Sequence, residues 1–152
     1  MTAAKAAVTS YIRMSGPLKP IVRMAIDRFD RALRRHDPGD AAVEMSTALE
    51  SLLGDGSGEL VWKVSLRASI IAGGSTEHRK RVRAIVYALY ALRSTVVHTG
   101  VSPTSSKVKG GASMTARELT DQGFNVVGEI LRAALRLDTM PDWFEAEITT
   151  IS

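Results

Sequence analysis

The sequence predicts an all-α protein, a helical bundle of four to five main helices with short helices at the ends. Three observations lead there. Apolar residues recur at steps of 3 and 4 through most of the chain, and no strand-like alternation persists. Aromatic residues are only 5% against 45% hydrophobic, so the core must come from Ala, Val, Leu, Ile and Met, which suits close helix packing better than a β-sandwich. The 152 residues fit one domain, 1–152, large enough to bury a core without disulfides or a structural metal.

Residues 1–17 carry no strong period and read as an arm or a short helix ending at Gly16-Pro17. Pro20 suits a helix start. From it Val22, Ile26, Phe29 and Leu33 form a stripe that ends at His36-Asp37-Pro38-Gly39. Asp40 reads as the next N-cap, with Glu44 near the positive end of the macrodipole. Ala42, Met45, Leu49, Leu52 and Leu53 give that helix its buried side, and Gly54 to Gly58 form a flexible break. A further helix spans about Glu59 to Ala72 on Leu60, Val64 and Ile71, with Trp62 a possible contributor, and Gly73-Gly74 ends it.

Ser75 can cap the strongest helix, where Val82, Ile85, Val86, Leu89, Leu92 and Val96 repeat at helical spacing. Gly100 suits the position just past its end, and Pro103 prevents continuation. Residues 101–113, rich in Ser, Gly, Lys and Thr, read as an exposed mobile loop. Thr115 with Glu118 forms a capping box for a helix running to about Leu137, weakened slightly by Gly123 and Gly128. Pro141 opens a last short helix carrying Trp143 and Phe144.

The chain has no cysteine, which removes disulfides, thiolate nucleophiles and cysteine-based metal sites and permits a cytoplasmic location. No apolar run approaches the length of a membrane span, and the N-terminus lacks signal-peptide shape. No H-E-x-x-H, spaced Asp pair or P-loop is present, so neither metal nor cofactor is expected. The net charge of +4 is compatible with nucleic acid without demanding it. Between Arg67 and Arg93 lie Arg79, Lys80, Arg81 and Arg83, opposed only by Glu77. That stretch is either a solvated face or a phosphate-attracting surface.

His36 and His78 read as surface residues. His98 differs, because it falls in the last turn of the strongest helix, five residues after Arg93. A helix C-terminus favours the protonated imidazole, and histidine titrates near neutral pH. Five helical steps separate the two side chains by about 140° and about 7.5 Å of rise. One regular helix therefore does not aim both at the same atom. Either the last turn frays at Gly100, or two copies face each other and complete a shared site. The alternative is an Arg on a wet face and a His bonded to a helix-end carbonyl.

The string Tyr90-Ala91-Leu92-Arg93-Ser94-Thr95-Val96-Val97-His98-Thr99-Gly100 resembles the R-x4-6-H signature of HEPN domains. Ala48 to Leu53 resembles the family's second-helix segment, and Leu66 to Ala72 with the approach to the long helix resembles the ApeA-like HEPN branch. The resemblance covers about Ile21 to Gly100 in detail and the last long helix in outline. It implies a helical homodimer whose two motifs meet across the interface and, in many members, metal-independent RNA cleavage. Other members are inactive RNA or protein binders, or partners of an antitoxin or a larger defence protein.

By resemblance the catalytic residues are Arg93 and His98, with Ser94 at the family's polar position, where many members carry Asn, Asp or His. RNA supplies the 2′-OH nucleophile, His98 would move the proton, and Arg93 would hold the phosphate. Around this pair, Glu50 is either a partner of Arg93 or His98 or a solvated side chain. Arg67 and Arg83 either bind flanking phosphates or are solvated. Tyr87 and Tyr90 either pack with a bonded hydroxyl or stack on bases.

Overall fold

The computed structural model describes residues 2–151, and these form α1 (Ala3–Arg13), α2 (Leu18–Leu33), α3 (Pro38–Leu53), α4 (Leu60–Ala72), α5 (Thr76–Thr99), α6 (Ala116–Ala134) and α7 (Trp143–Ile151). No strand occurs among the described residues, only an antiparallel bridge between Ser106 and Met114. None of the described helices is long and apolar enough to cross a membrane. α3 and α5 cross the centre. α3 packs on α2, α4, α5 and α6, and α5 packs on α3, α4 and α6. Their shared core holds Met45, Leu49, Leu53, Ile85, Leu89 and Leu92, with Leu119 and Ile130 closing it from α6.

The N-terminal segment resolves as a helix that buries no residue, with only Tyr11 and Met14 leaning on the core. α2 begins at Leu18 instead of Pro20, and its buried line is Leu18, Val22, Ala25 and Ala32. Leu33, expected in the stripe, is exposed. The two alanines turn the contact line towards themselves because their small side chains let α3 approach.

The N-cap of α3 is Asp37, not Asp40. Its carboxylate accepts from Gly39 N at 2.8 Å and Asp40 N at 3.1 Å, while Pro38 occupies the first turn, where its missing N–H does no harm. The same oxygen accepts from the Ser102 hydroxyl at 2.9 Å, tying the start of α3 to the chain just beyond α5. Gly39 is required there, since a Cβ would overlap Val96 and Ser102. The last turn of α5 is thus held from below.

The backbone bond from Asp40, then the Ser102 bond, lower the Asp37 pKa below the ordinary carboxylate range. A carboxylate lowered on folding adds stability above its unfolded pKa and loses it as pH falls through the folded value. Asp37→Ala is expected to destabilise by about 1–2 kcal/mol near pH 7. Urea unfolding should show that difference shrinking as pH drops through the acid range.

α6 carries the expected capping box, Thr115 N to Glu118 Oε2 at 2.8 Å and Glu118 N to Thr115 Oγ1 at 3.1 Å, but ends at Ala134, short of Leu137. Gly123 is a packing residue. A Cβ there would sit 3.0 Å from Leu89 Cδ2 and 3.1 Å from Met45 Cε, both on fully buried side chains. Gly123→Ala should therefore lower the melting temperature, although the alanine gains about 1 kcal/mol of helix propensity.

Residues 101–113 form a mostly exposed loop, as expected, but one with an internal bridge and a buried anchor. Ser106 and Met114 exchange backbone hydrogen bonds at 2.7 and 2.9 Å, Gly111 N donates to Val108 O at 3.1 Å, and the Val108 side chain is buried in the core. The bridge closes the segment on itself, and Val108 anchors it on the core.

Candidate functional site at the end of α5

α5 is regular through Thr99 and closes on Gly100 at φ 72, the left-handed conformation glycine adopts freely. Fraying does not turn His98 inward. His98 is exposed and makes no side-chain hydrogen bond among the described residues, so it is not bonded to a helix-end carbonyl either. Ser94 is exposed as well. Arg93 lies on another face of the helix, as the angular argument requires.

Arg93 donates from Nη1 to Glu50 Oε1 of α3, an ion pair whose side chains are 30% and 23% exposed. Its guanidinium also lies 5.6 Å from the centre of the Tyr90 ring. The structure brings Glu50, Tyr90 and Arg93 together. It leaves His98 and Ser94 apart from them within one chain.

Tyr90 is only 6% exposed, so it is a packing residue and not a base-stacking platform. Its hydroxyl is buried beside Glu50 and forms no well-aligned hydrogen bond among the described residues. Burial first, then the Glu50 charge, push its pKa well above the ordinary tyrosine range, which keeps the phenol neutral.

Arg67 is also corrected. It is 4% exposed, and its guanidinium donates to Glu147 at 2.7 Å, Leu53 O at 2.8 Å and Asp55 at 3.0 Å, one bond from each nitrogen. The Trp143 ring covers it at 5.0 Å. Buried in this way it does not reach the surface to meet RNA phosphate, and Arg67 instead ties α7 and the residues after α3 to α4. Hydrogen bonds from Ser57, followed by the Arg67 bond, hold Asp55 far below the usual carboxylate range. The Ser57 bonds lie within the non-helical break between α3 and α4.

Arg83 stays near the surface, its guanidinium 5.7 Å from the Trp62 ring and 5.9 Å from the Tyr87 ring. It lines a groove of about 1120 Å³ between α5 and residues 107–114. Lys80, Arg81, Lys107 and Lys109 stand around the same groove. The two loop lysines are absent from the sequence-level site because nothing in a Ser/Gly/Lys run marks which residues fold back. The one local signal was Val108, an apolar residue between two lysines.

His78, expected at the surface, is half-exposed and contacts Glu129 at 2.7 Å. Among the described residues no group of His, Asp and Glu is arranged to hold a metal ion. No family model matches the chain, and no curated protein or solved structure is found to resemble it.

Proposed function

We propose that the protein is a metal-independent endoribonuclease of the HEPN type, acting as a homodimer in which the ends of two α5 helices form the site. The observation carrying this reading is an exposed imidazole, without a side-chain partner among the described residues, five residues from a carboxylate-anchored guanidinium at the open end of the longest helix. Glu50 and Tyr90 fix the direction of Arg93, so that its remaining donors are pre-set for a phosphate. His98 is free to meet solvent and substrate.

Because Arg93 and His98 point apart, the pair acting on one phosphate comes from two chains. Val97 and Val101, large apolar side chains 63% and 66% exposed at this end, suit a two-fold contact. In the reaction the 2′-oxygen bonds to phosphorus and the bond to the 5′-oxygen breaks, leaving a cyclic phosphate and a 5′-hydroxyl. His98 takes the 2′-proton or protonates the leaving oxygen. Arg93 bears on the phosphoryl oxygens as charge develops. A role as a toxin or in phage defence, inside the cell and opposed by an antitoxin or joined to a larger defence protein, accords with the resemblance at Arg93 to His98. Purified protein should cleave RNA in EDTA, and a 2′-deoxy linkage should resist. Cleavage that requires added metal would contradict the reading.

One observation favours a second reading. An Arg93 tied to Glu50 between α3 and α5 is also what a non-catalytic dimerisation or RNA- or protein-binding module would need for stability. That reading expects RNA or partner binding without cleavage, unchanged by His98→Ala.

A further inference from the structure

The groove between α5 and residues 107–114 is not part of the Arg93–Glu50 cluster, and its chemistry points to a ligand of its own. One wall is α5, with Lys80, Arg81 and Arg83; the other is the bridged segment, with Lys107 and Lys109. Glu77 is the acidic residue that lines it, and Lys80 already neutralises that carboxylate at 2.9 Å. Arg81 is held lightly, donating to Gln122 at 3.4 Å. Lys107 and Lys109 are exposed and form no ion pair among the described residues. Between the charged rims the floor is apolar, with Ala84, Ala88 and the anchored Val108. Tyr87 presents a ring 37% exposed to the same space.

Cations on both rims with an accessible aromatic face between them fit a strand that offers phosphates along its edge and flat bases towards the floor. A purely acidic peptide would use the cations and leave the ring and apolar floor unmatched. The helix geometry supplies a direction. Ala84, Ala88 and Ala91 line the groove, and His98, seven residues after Ala91, returns to within about 20° of it after about 10.5 Å of rise. Thr95, on the same line, is exposed. The groove therefore opens along the α5 face that carries His98, opposite the face that carries Arg93.

We propose that this groove is a binding track for single-stranded RNA and that it leads the strand to His98. The delivery role rests on the ribonuclease reading; the binding role does not.

The test uses the full chain and a fluorescein-labelled 2′-O-methyl oligouridylate, which cannot be cut through its 2′-position, so anisotropy reads binding alone. Wild-type protein is compared with Lys107→Glu/Lys109→Glu and with a control of equal charge change, Arg23→Glu/Arg31→Glu, on exposed positions of α2. Circular dichroism confirms that each variant is folded, and Arg81→Gln serves as a milder second groove variant. The track predicts a loss of affinity of about tenfold or more for the loop variant, with a salt slope lower by about 0.7 for each phosphate contact removed. The control should lose far less.

Equal losses in groove and control variants overturn the proposal, as does a wild-type protein that does not bind the oligomer. Stronger binding of duplex RNA, or competition by polyglutamate as effective as by unlabelled oligouridylate, overturns the single-strand assignment. Cleavage of unmodified RNA is then measured separately. Groove-dependent binding with no cleavage supports the track while removing the ribonuclease reading. Cleavage lost in His98→Ala but indifferent to the groove variant, for long and short RNA alike, supports the ribonuclease and overturns delivery by the groove.

Discussion

His98→Ala is expected to abolish RNA cleavage, by at least about 10²-fold, without changing the melting temperature. The imidazole is exposed, bonds to no other side chain among the described residues and sits one residue before the end of a helix capped independently by Gly100. Its removal takes away no packing and leaves no buried group unpaired. Arg93 is the contrasting case. Its loss should also stop cleavage, but it leaves Glu50, 23% exposed, without its cation beside the buried Tyr90 hydroxyl. Arg93→Ala should therefore lose stability by about 1–3 kcal/mol as well as activity. Glu50→Gln/Arg93→Met should recover much of the stability and none of the activity, because it removes both charges together. Single-turnover cleavage and urea unfolding, read side by side on these variants, separate the catalytic part of Arg93 from its structural part. Equal rates for wild type and His98→Ala would end the nuclease assignment and leave the binding-module reading in its place.

The largest stability effect should come from Arg67→Met, about 3 kcal/mol or more. A buried guanidinium that engages Glu147, Asp55 and the Leu53 carbonyl cannot be removed without leaving Glu147 and the carbonyl poorly solvated. The change also strips the cation from the face of Trp143, so α7 should detach first. Amide exchange should show α7 and residues 54–59 losing protection ahead of α3 and α5. Acid weakens the same junction. Asp55 is lowered on folding by its Ser57 and Arg67 bonds, so it contributes stability above its unfolded pKa and loses that contribution as pH falls further. The Arg67→Met variant should accordingly show a shallower loss of stability on acidification than the wild type.

These effects fall where the sequence is least legible. Local signals with a short-range mechanism read correctly: Ser75 caps α5, Gly100 closes it and the Thr115–Glu118 box opens α6. At the start of α3, Pro38 has the look of a breaker in the sequence, whereas at a first helical position it is a fitting residue and the cap lies at Asp37. Periodicity puts Leu33 inside, but the buried line of α2 runs through Ala25 and Ala32, and Leu33, about 100° round the helix from Ala32, is exposed. Arg67 shows the wider reason. Its partner Glu147 is 80 residues away, and a run of basic residues does not say which of them a distant helix will cover. Tyr90 and Tyr87 divide in the same way, one buried in the core and one left in the groove. At the candidate site, Arg93 and His98 stand on diverging faces as helical geometry foretold, and Glu50 lies against Arg93, one of the alternatives the sequence left open. For the two lysines around Val108, that single apolar residue is the only mark in the linear string, and it does not say that they face α5.

The central claim is that Arg93 of one chain and His98 of another serve the same phosphate. Co-expressing Arg93→Met with His98→Ala, each folded and inactive alone, tests it directly through RNA cleavage in EDTA. In a two-fold dimer, random pairing gives roughly half mixed dimers, each with one site intact and one site lacking both groups, so cleavage should return to roughly a quarter of the wild-type rate. A mixture no more active than its separate components would contradict the shared site.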